Sequence, residues 1–263
     1  MIKKISILGV TITNESSEKV LEYLLSRIKN KKEKTFIITP NPEMLVHASR
    51  NLAYKDKLNH ANIALPDGVG LFFASAFMGE RLEERITGVD FIEELCKASA
   101  ELPLSMGFLG GKVGVAEHAA ECLLQKYPYL NIVFAAEEWP SNDRLKIMDL
   151  GLKNEKRKNL KSSILNLQSI DILFVAFGIP KQEEWIYDNL QKLPVKAAMG
   201  VGGAFDFLSG SVPRAPFLVR FFGFEWLFRL IVQPWRWKRQ LALIEFIVLV
   251  FKEKFSSGNH EHR

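Results

Sequence analysis

Two apolar runs, near residues 175 and 198, each emptying into a glycine-bearing polar loop, constrain this chain more than any other feature. The first reads Ile170-Asp-Ile-Leu-Phe-Val-Ala-Phe-Gly-Ile-Pro-Lys-Gln-Glu-Glu-Trp185, the second Ala197-Ala-Met-Gly-Val-Gly-Gly-Ala-Phe-Asp206. Continuous Val, Ile, Leu and Phe without polar alternation indicate strands covered on both faces, as in the middle of a parallel sheet. Open α/β sheets bind ligands just beyond the carboxyl ends of such strands. There, Gly178, Gly200, Gly202 and Gly203 let backbone approach a ligand, and Lys181, Gln182 and Asp206 offer polar grips. The pattern points to a nucleotide- or phosphate-bearing ligand.

The rest of the chain repeats the theme. Strands are predicted over 5–12, 35–39, 63–65, 104–109 and 132–136, separated by helical periodicity, with Asn14 and Ser16 as caps for the first helix. Alternation of this kind predicts an α/β fold: a Rossmann-like, mostly parallel sheet wrapped by helices. A polar, lysine-rich stretch from Ser141 to Lys161 interrupts it. After Pro213-Arg-Ala-Pro216 the alternation stops, and the chain becomes helical, basic and aromatic, with three of the five tryptophans. The predicted division is therefore a core over 1–215 and a helical appendage over 216–263.

Composition sets further limits. In 263 residues the only cysteines are Cys96 and Cys122, both in helical patterns and with no C-x-x-C, so neither a disulfide frame nor a zinc site is suggested. His118 lies one turn before Cys122, a pairing better explained by helix packing than by half a metal site. The beginning of the chain lacks the pattern of a signal peptide, and the run 241–251 falls short of the ~20 residues that span a bilayer. A cytoplasmic protein is expected. The net charge of +5 is concentrated in the tail, where Arg214, Arg220, Arg229, Arg236, Lys238, Arg239, Lys252 and Lys254 outnumber Glu225, Glu245 and Glu253. Basic residues among aromatics suit phosphate groups or an anionic membrane face. Trp226, Trp235 and Trp237, with Phe221, Phe222, Phe224 and Phe228, fit either a membrane interface or an ordinary core. Nucleic acid is not an expected partner, because the aromatics are too apolar and the core is not basic.

Candidate chemistry follows from the strand ends. Asp67, in Pro66-Asp-Gly-Val-Gly70, is placed to take a proton from an attacking hydroxyl, or else to cap the helix that follows. Thr39 and Asn41, in Thr39-Pro-Asn-Pro-Glu43, put polar groups at the neighbouring strand end, with Asn41 also a natural cap. Gly110 and Gly111 open a helix whose free N–H groups suit a diphosphate, although Gly110-Gly-Lys-Val-Gly114 is neither a Walker A loop nor a full G-x-G-x-x-G. The turn Leu8-Gly-Val-Thr lacks the dinucleotide fingerprint, which counts against a nicotinamide enzyme. Arg81, Arg85 and Asp90 read as a solvated helix face. Arg229, Arg236 and Arg239, at spacings of seven and three, read as one side of a helical segment that Pro234 kinks or restarts. Three guanidinium groups together would clamp a diphosphate.

Taken in register, seven blocks resemble the WecG/TagA/CpsF glycosyltransferases. They are Thr39–Glu43, Pro66–Gly70, Glu84–Asp90, Gly178–Glu183 with Trp185, Gly200–Asp206, Arg214–Pro216, and Glu225-Trp226 followed by Arg229, Pro234, Arg236 and Arg239. The resemblance implies a bacterial enzyme that moves a sugar from UDP, with inversion, onto a polyprenyl-diphosphate-linked N-acetylglucosamine in surface-polymer synthesis. N-acetylmannosamine or its uronic acid is the implied sugar, and another UDP-hexose remains open. The implied base is Asp67, and the implied pocket residues are Thr39, Asn41, Arg85 and Gln182. The appendage arginines are Arg229, Arg236 and Arg239, while Gly110, Gly111, Gly202, Gly203 and Asp206 complete the expected binding set. No metal or other cofactor is expected, since the sequence has no Asp-x-Asp. Expected partners are the UDP-sugar, the lipid-linked acceptor and the inner face of the plasma membrane, with homo-oligomer formation left open. The alternative from another class is a membrane-recruited protein that binds nucleotide-sugars without turning them over.

Overall fold

The computed structural model describes residues 2–30, 33–139 and 170–257; the polar stretch 141–161 lies outside them. Its centre is a six-stranded parallel sheet in the order β4-β3-β8-β7-β5-β6. The strands are β3 (Thr35–Ile38), β4 (Ile63–Ala64), β5 (Ser105–Gly110), β6 (Asn131–Ala136), β7 (Ile170–Ala176) and β8 (Val195–Gly200). Helices intervene throughout, so the predicted α/β, Rossmann-like class holds. The two runs that opened the sequence argument lie side by side, with Val175 paired to Gly200. Ile172, Leu173, Phe174 and Val175 have no solvent exposure, as covering on both faces requires.

The first predicted strand is a correction. Residues 4–13 form an antiparallel hairpin, β1 (Lys4–Ile7) and β2 (Val10–Thr13), in its own two-stranded sheet. Ile7 pairs with Val10 across the two-residue loop Leu8-Gly9, where φ is +52° and +73°. Two successive positive φ values give the turn whose twist matches its strands. Leucine in that conformation is uncommon, and without Asn-Gly or Asp-Gly the turn had no recognisable signal. The loop is therefore a hairpin turn and not the first strand-to-helix turn of a dinucleotide site. The caps were half right. Ser16 Oγ accepts from Lys19 N at 3.4 Å at the start of α1 (Ser17–Asn30), whereas the Asn14 side chain bonds Arg81 O and Glu83 N.

The chain divides into two compact units, residues 1–20, 38–87 and 214–263 in one, and 21–37 and 88–213 in the other. In the first, α2 (Pro42–Arg50), α3 (Leu52–Asn59) and α4 (Val69–Met78) accompany the hairpin and β4. The tail contributes α9 (Phe217–Phe221), α10 (Glu225–Val232), a 3-10 turn (Pro234–Arg236) and α11 (Trp237–Ser257). Helix α11 packs on α2 and α4, burying Phe246 and Val250. Arg50 pairs with Glu245, and Phe77 and Phe251 meet at 4.7 Å between ring centroids. The other unit holds α5 (Gly88–Ala98), α6 (Val115–Lys126), α7 (Lys181–Asn189) and α8 (Ala204–Leu208) with the strands they serve.

A polar anchor ties the amino ends of three strands in this second unit. Asp171 Oδ2 accepts from Ser105 N (2.8 Å) and Ser105 Oγ (2.9 Å), and Oδ1 pairs with Lys196. Burial pushes the Asp171 carboxyl upward, but the bonds from Lys196 and Ser105 outweigh it and hold the group below the ordinary range. With a folded-state value below the unfolded ~3.9, its contribution is complete above that value and drains away as pH falls through the lower one. Asp171→Asn should cost about 1–3 kcal/mol at neutral pH. The deficit relative to wild type should shrink on acidification, a trend that denaturant titrations at pH 7 and pH 3 would check.

Candidate active site

Within the first unit, the sequence-predicted residues gather around the loop after β4. The Asp67 N–H donates to Pro40 O at 2.9 Å, fastening that loop to the Thr39-Pro-Asn-Pro turn. A Cβ on Gly68 would stand 3.5 Å from Pro42 Cδ and 4.0 Å from Asn41 Cβ, so the two turns are in contact. Asp67 is half-buried. It is not the helix cap: Gly68 occupies that position in α4, with no side-chain cap bond. Asn41 does cap, its Oδ1 accepting from Met44 N at 3.0 Å. Thr39 is buried at the end of β3.

The charged segment 80–87 is a second correction. It is a loop, not a helix face: α4 stops at Gly79 and α5 starts at Gly88. Leu82 and Ile86 are buried and Ile86 N donates to Pro66 O at 3.0 Å, so the loop lies against the Asp67 turn. The charges alone gave the helix-face reading, and they do not report the burial of the apolar residues between them. Arg85 is half-buried, and its Nη2 donates to Arg220 O at 2.9 Å, joining this loop to the tail.

The tail also packs directly on the residues after Asp67. A Cβ on Gly223, whose φ is +78°, would come within 2.8 Å of Val69 Cγ2. One on Gly70 would meet Pro42 Cγ at 2.7 Å and Leu243 Cδ1 at 3.5 Å. Sequence reasoning gave Gly70 and Gly223 no role of this kind, because close approach between segments over 140 residues apart leaves no local pattern.

The arginines do not share one continuous helix. Arg229 lies in α10, Arg236 ends the 3-10 turn, and Arg239 is in the first turn of α11, the break falling at Gln233-Pro234. Proline, lacking an N–H, starts the new element. Arg229 Nε reaches Gln233 Oε1 at 3.4 Å; the side chains of Arg236 and Arg239 are outside the described part. Most of the tail's large apolar side chains face outward, with Phe217, Phe221 and Trp235 about 70% exposed. They are not core. Among the described residues no helix is long and apolar enough to cross a membrane.

Within the second unit, the loops after β5, β7 and β8 carry the remaining candidates. Gly110 and Gly111 have φ of +98° and +89°, and Gly111 N donates to Ala176 O at 3.0 Å. A Cβ on Gly110 would lie 2.8 Å from the Phe177 ring, so glycine is needed for close approach as well as for conformation. Gln182 is buried in the first turn of α7, with its Oε1 bonded to the N–H groups of Gly178 (3.1 Å) and Gly202 (2.9 Å). Gly203 caps α8, and Asp206 lies in that helix's first turn, half-buried. Sequence reasoning missed an aromatic chain in which Phe134, Trp139, Trp185 and Phe177 follow one another at centroid spacings of 5.4, 6.1 and 5.5 Å. Their dispersal between positions 134 and 185 hid it.

Burial, with the Glu93 charge adding to it, pushes Cys96 up to about 12. His118 is exposed and reaches Glu121 at 3.4 Å, so it is a surface residue and not the packed one expected. Among the described residues no group of three or more His, Cys, Asp or Glu is gathered to hold a metal ion.

A parallel sheet with glycine loops at its strand ends is common to many enzymes, and comparison with known proteins decides among them. The description "Glycosyl transferase WecG/TagA/CpsF family" matches residues 5–260. The chain belongs to that family. Similar members are named N-acetylglucosaminyldiphosphoundecaprenol N-acetyl-beta-D-mannosaminyltransferase. The one from Bacillus subtilis (strain 168) is 29% identical over 246 residues, 94% of this chain and 90% of that protein. The Bacillus spizizenii protein is 31% identical over 224 residues, covering 85% and 81%. The Staphylococcus aureus (strain MRSA252) protein is 30% identical over 250 residues, covering 95% and 91%. The span of the family match takes in both the Asp67 loop and the tail arginines.

Proposed function

We propose that this glycosyltransferase moves N-acetylmannosamine from UDP to an N-acetylglucosamine carried on a polyprenyl diphosphate. The carrying observation is the set of relatives at about 30% identity that span nearly the whole chain and bear that name. In the proposed reaction the acceptor hydroxyl attacks the anomeric carbon from the face opposite UDP. Asp67 takes the hydroxyl proton, the bond to the diphosphate oxygen breaks, and the configuration inverts. Holding donor and acceptor in line supplies much of the acceleration. The departing UDP gathers negative charge, which Arg229, Arg236 and Arg239 neutralise as fixed cations. Thr39, Asn41, Arg85, Asp206 and the loops at Gly110-Gly111 and Gly202-Gly203 are the proposed binding groups. Transfer is proposed to need no metal ion or other cofactor.

The segment 216–263 is proposed as an appendage that rests on the inner face of the plasma membrane, where a lipid-linked acceptor would be met. Its outward aromatics and basic residues support this. The reading is tested with a panel of UDP-sugars and a short-chain lipid-diphosphate N-acetylglucosamine, scored by product mass in excess chelator. One added N-acetylhexosamine is expected, from UDP-N-acetylmannosamine above the other donors and with chelator present. No product from any UDP-sugar would refute the transfer, and strict dependence on a divalent ion would refute the arginine argument.

A further inference from the structure

Gln182 and Glu183 are adjacent polar residues in the first turn of α7, and both are almost wholly buried, at 1% and 0% exposure. Buried polar groups persist where their hydrogen-bonding capacity is met, so their partners are informative. Gln182 Oε1 accepts from two backbone amides, Gly178 N at 3.1 Å and Gly202 N at 2.9 Å. Two N–H donors at one atom identify it as the carbonyl oxygen, and they occupy both of its lone pairs. The amide nitrogen donates to Glu183 Oε1 at 2.6 Å. Gly200, the last residue of β8, makes room for the pair. A Cβ there would stand 3.0 Å from Gln182 Nε2 and 3.2 Å from Glu183 Oε1.

We infer that Gln182 is a positioning residue, whose carboxamide ties the loop after β7 to the loop after β8 while buried Glu183 fixes its orientation. The amides of Gly178 and Gly202 are thereby committed within the protein, and a phosphate oxygen on these loops is met by other groups. What the loops bind rests on the glycosyl-transfer reading; the tie itself does not.

The chemistry of the pair supplies a sharp test in the full chain. Gln182→Glu keeps the two-amide acceptor but sets two carboxylates against each other in a dry site, where one must take up a proton or move away. The double variant Gln182→Glu with Glu183→Gln restores the pair with donor and acceptor exchanged and the net charge unchanged. Amide hydrogen exchange over 178–182 and 200–203 should quicken at least about tenfold in the single variant and return to within about threefold of wild type in the double. Turnover of the UDP-sugar should follow the same pattern, in kcat more than in KM. Unchanged exchange in the single variant, or a double variant no better than the single, would overturn the tie. Restored exchange with turnover still lost and KM raised would overturn the positioning role, because the substrate would then need the glutamine amide itself. If wild type transfers no sugar, the glycosyl-transfer reading fails while the exchange measurement still decides the tie, and titration with UDP alone decides whether the tied loops matter to binding.

Discussion

Asp67→Asn should lower kcat by about 10²–10⁴-fold, the range expected on losing a general base, and leave the affinity for UDP almost unchanged. The substitution conserves size, and it does not remove a helix cap, since α4 is capped at Gly68 without any side-chain bond. The backbone that holds residue 67 is fixed through its own N–H to Pro40 O, which asparagine also supplies. A loss of that size corresponds to about 3–5 kcal/mol of barrier. Measured by isotope-labelled sugar transfer beside UDP calorimetry, kcat within a few-fold of wild type would exclude Asp67 as the base. Equal loss of binding and turnover would point instead to a damaged loop.

Removal of residues 217–263 should abolish both turnover and vesicle binding, and it should also lower the thermal midpoint. The last effect separates this structure from a picture of a detachable anchor. Phe246 and Val250 are 2% and 4% exposed, so truncation uncovers apolar surface on the first unit. Removing the ring of one buried phenylalanine by itself typically costs 3–5 kcal/mol. Truncation also removes the Arg220 carbonyl that holds Arg85 and the Gly223 backbone packed on Val69, two residues beyond Asp67. The triple variant Phe217→Ser, Phe221→Ser, Trp235→Ser isolates the surface contribution, because those side chains are about 70% exposed. It should keep the midpoint, since surface changes lie within about 0.5 kcal/mol each, yet lose binding to anionic vesicles. A truncated chain with full activity and an unchanged midpoint would refute the argument from packing.

Much of this was legible in the sequence because parallel strands covered on both faces advertise themselves. The strands ending at Ala176 and Gly200 needed only the apolar character of 172–176 and 197–200, and their following loops gave the binding edge. What failed did so where local pattern and tertiary role diverge. Leu8 and Gly9 turn a hairpin without the usual turn residues, so one expected strand became two. Arg81 and Arg85 have the spacing of a helix face but lie in a loop that buried Leu82 and Ile86 anchor. Arg229, Arg236 and Arg239 have helical spacing on paper, but Pro234 starts a new element between the first and the other two. The burial of Gln182 was invisible for another reason. Its partners at Gly178 and Gly202 belong to two loops that only the finished sheet brings side by side.

The first unit is assembled from three separated segments, 1–20, 38–87 and 214–263. During synthesis, residues 1–20 and 38–87 emerge while α11 is still untranslated, a wait on the order of ten seconds at ~5–20 residues per second. Over that interval the faces of α2 and α4 that receive α11 stay open to solvent, and Arg85 lacks its carbonyl partner. A nascent chain therefore cannot complete the surroundings of Asp67 before the ribosome has delivered α11.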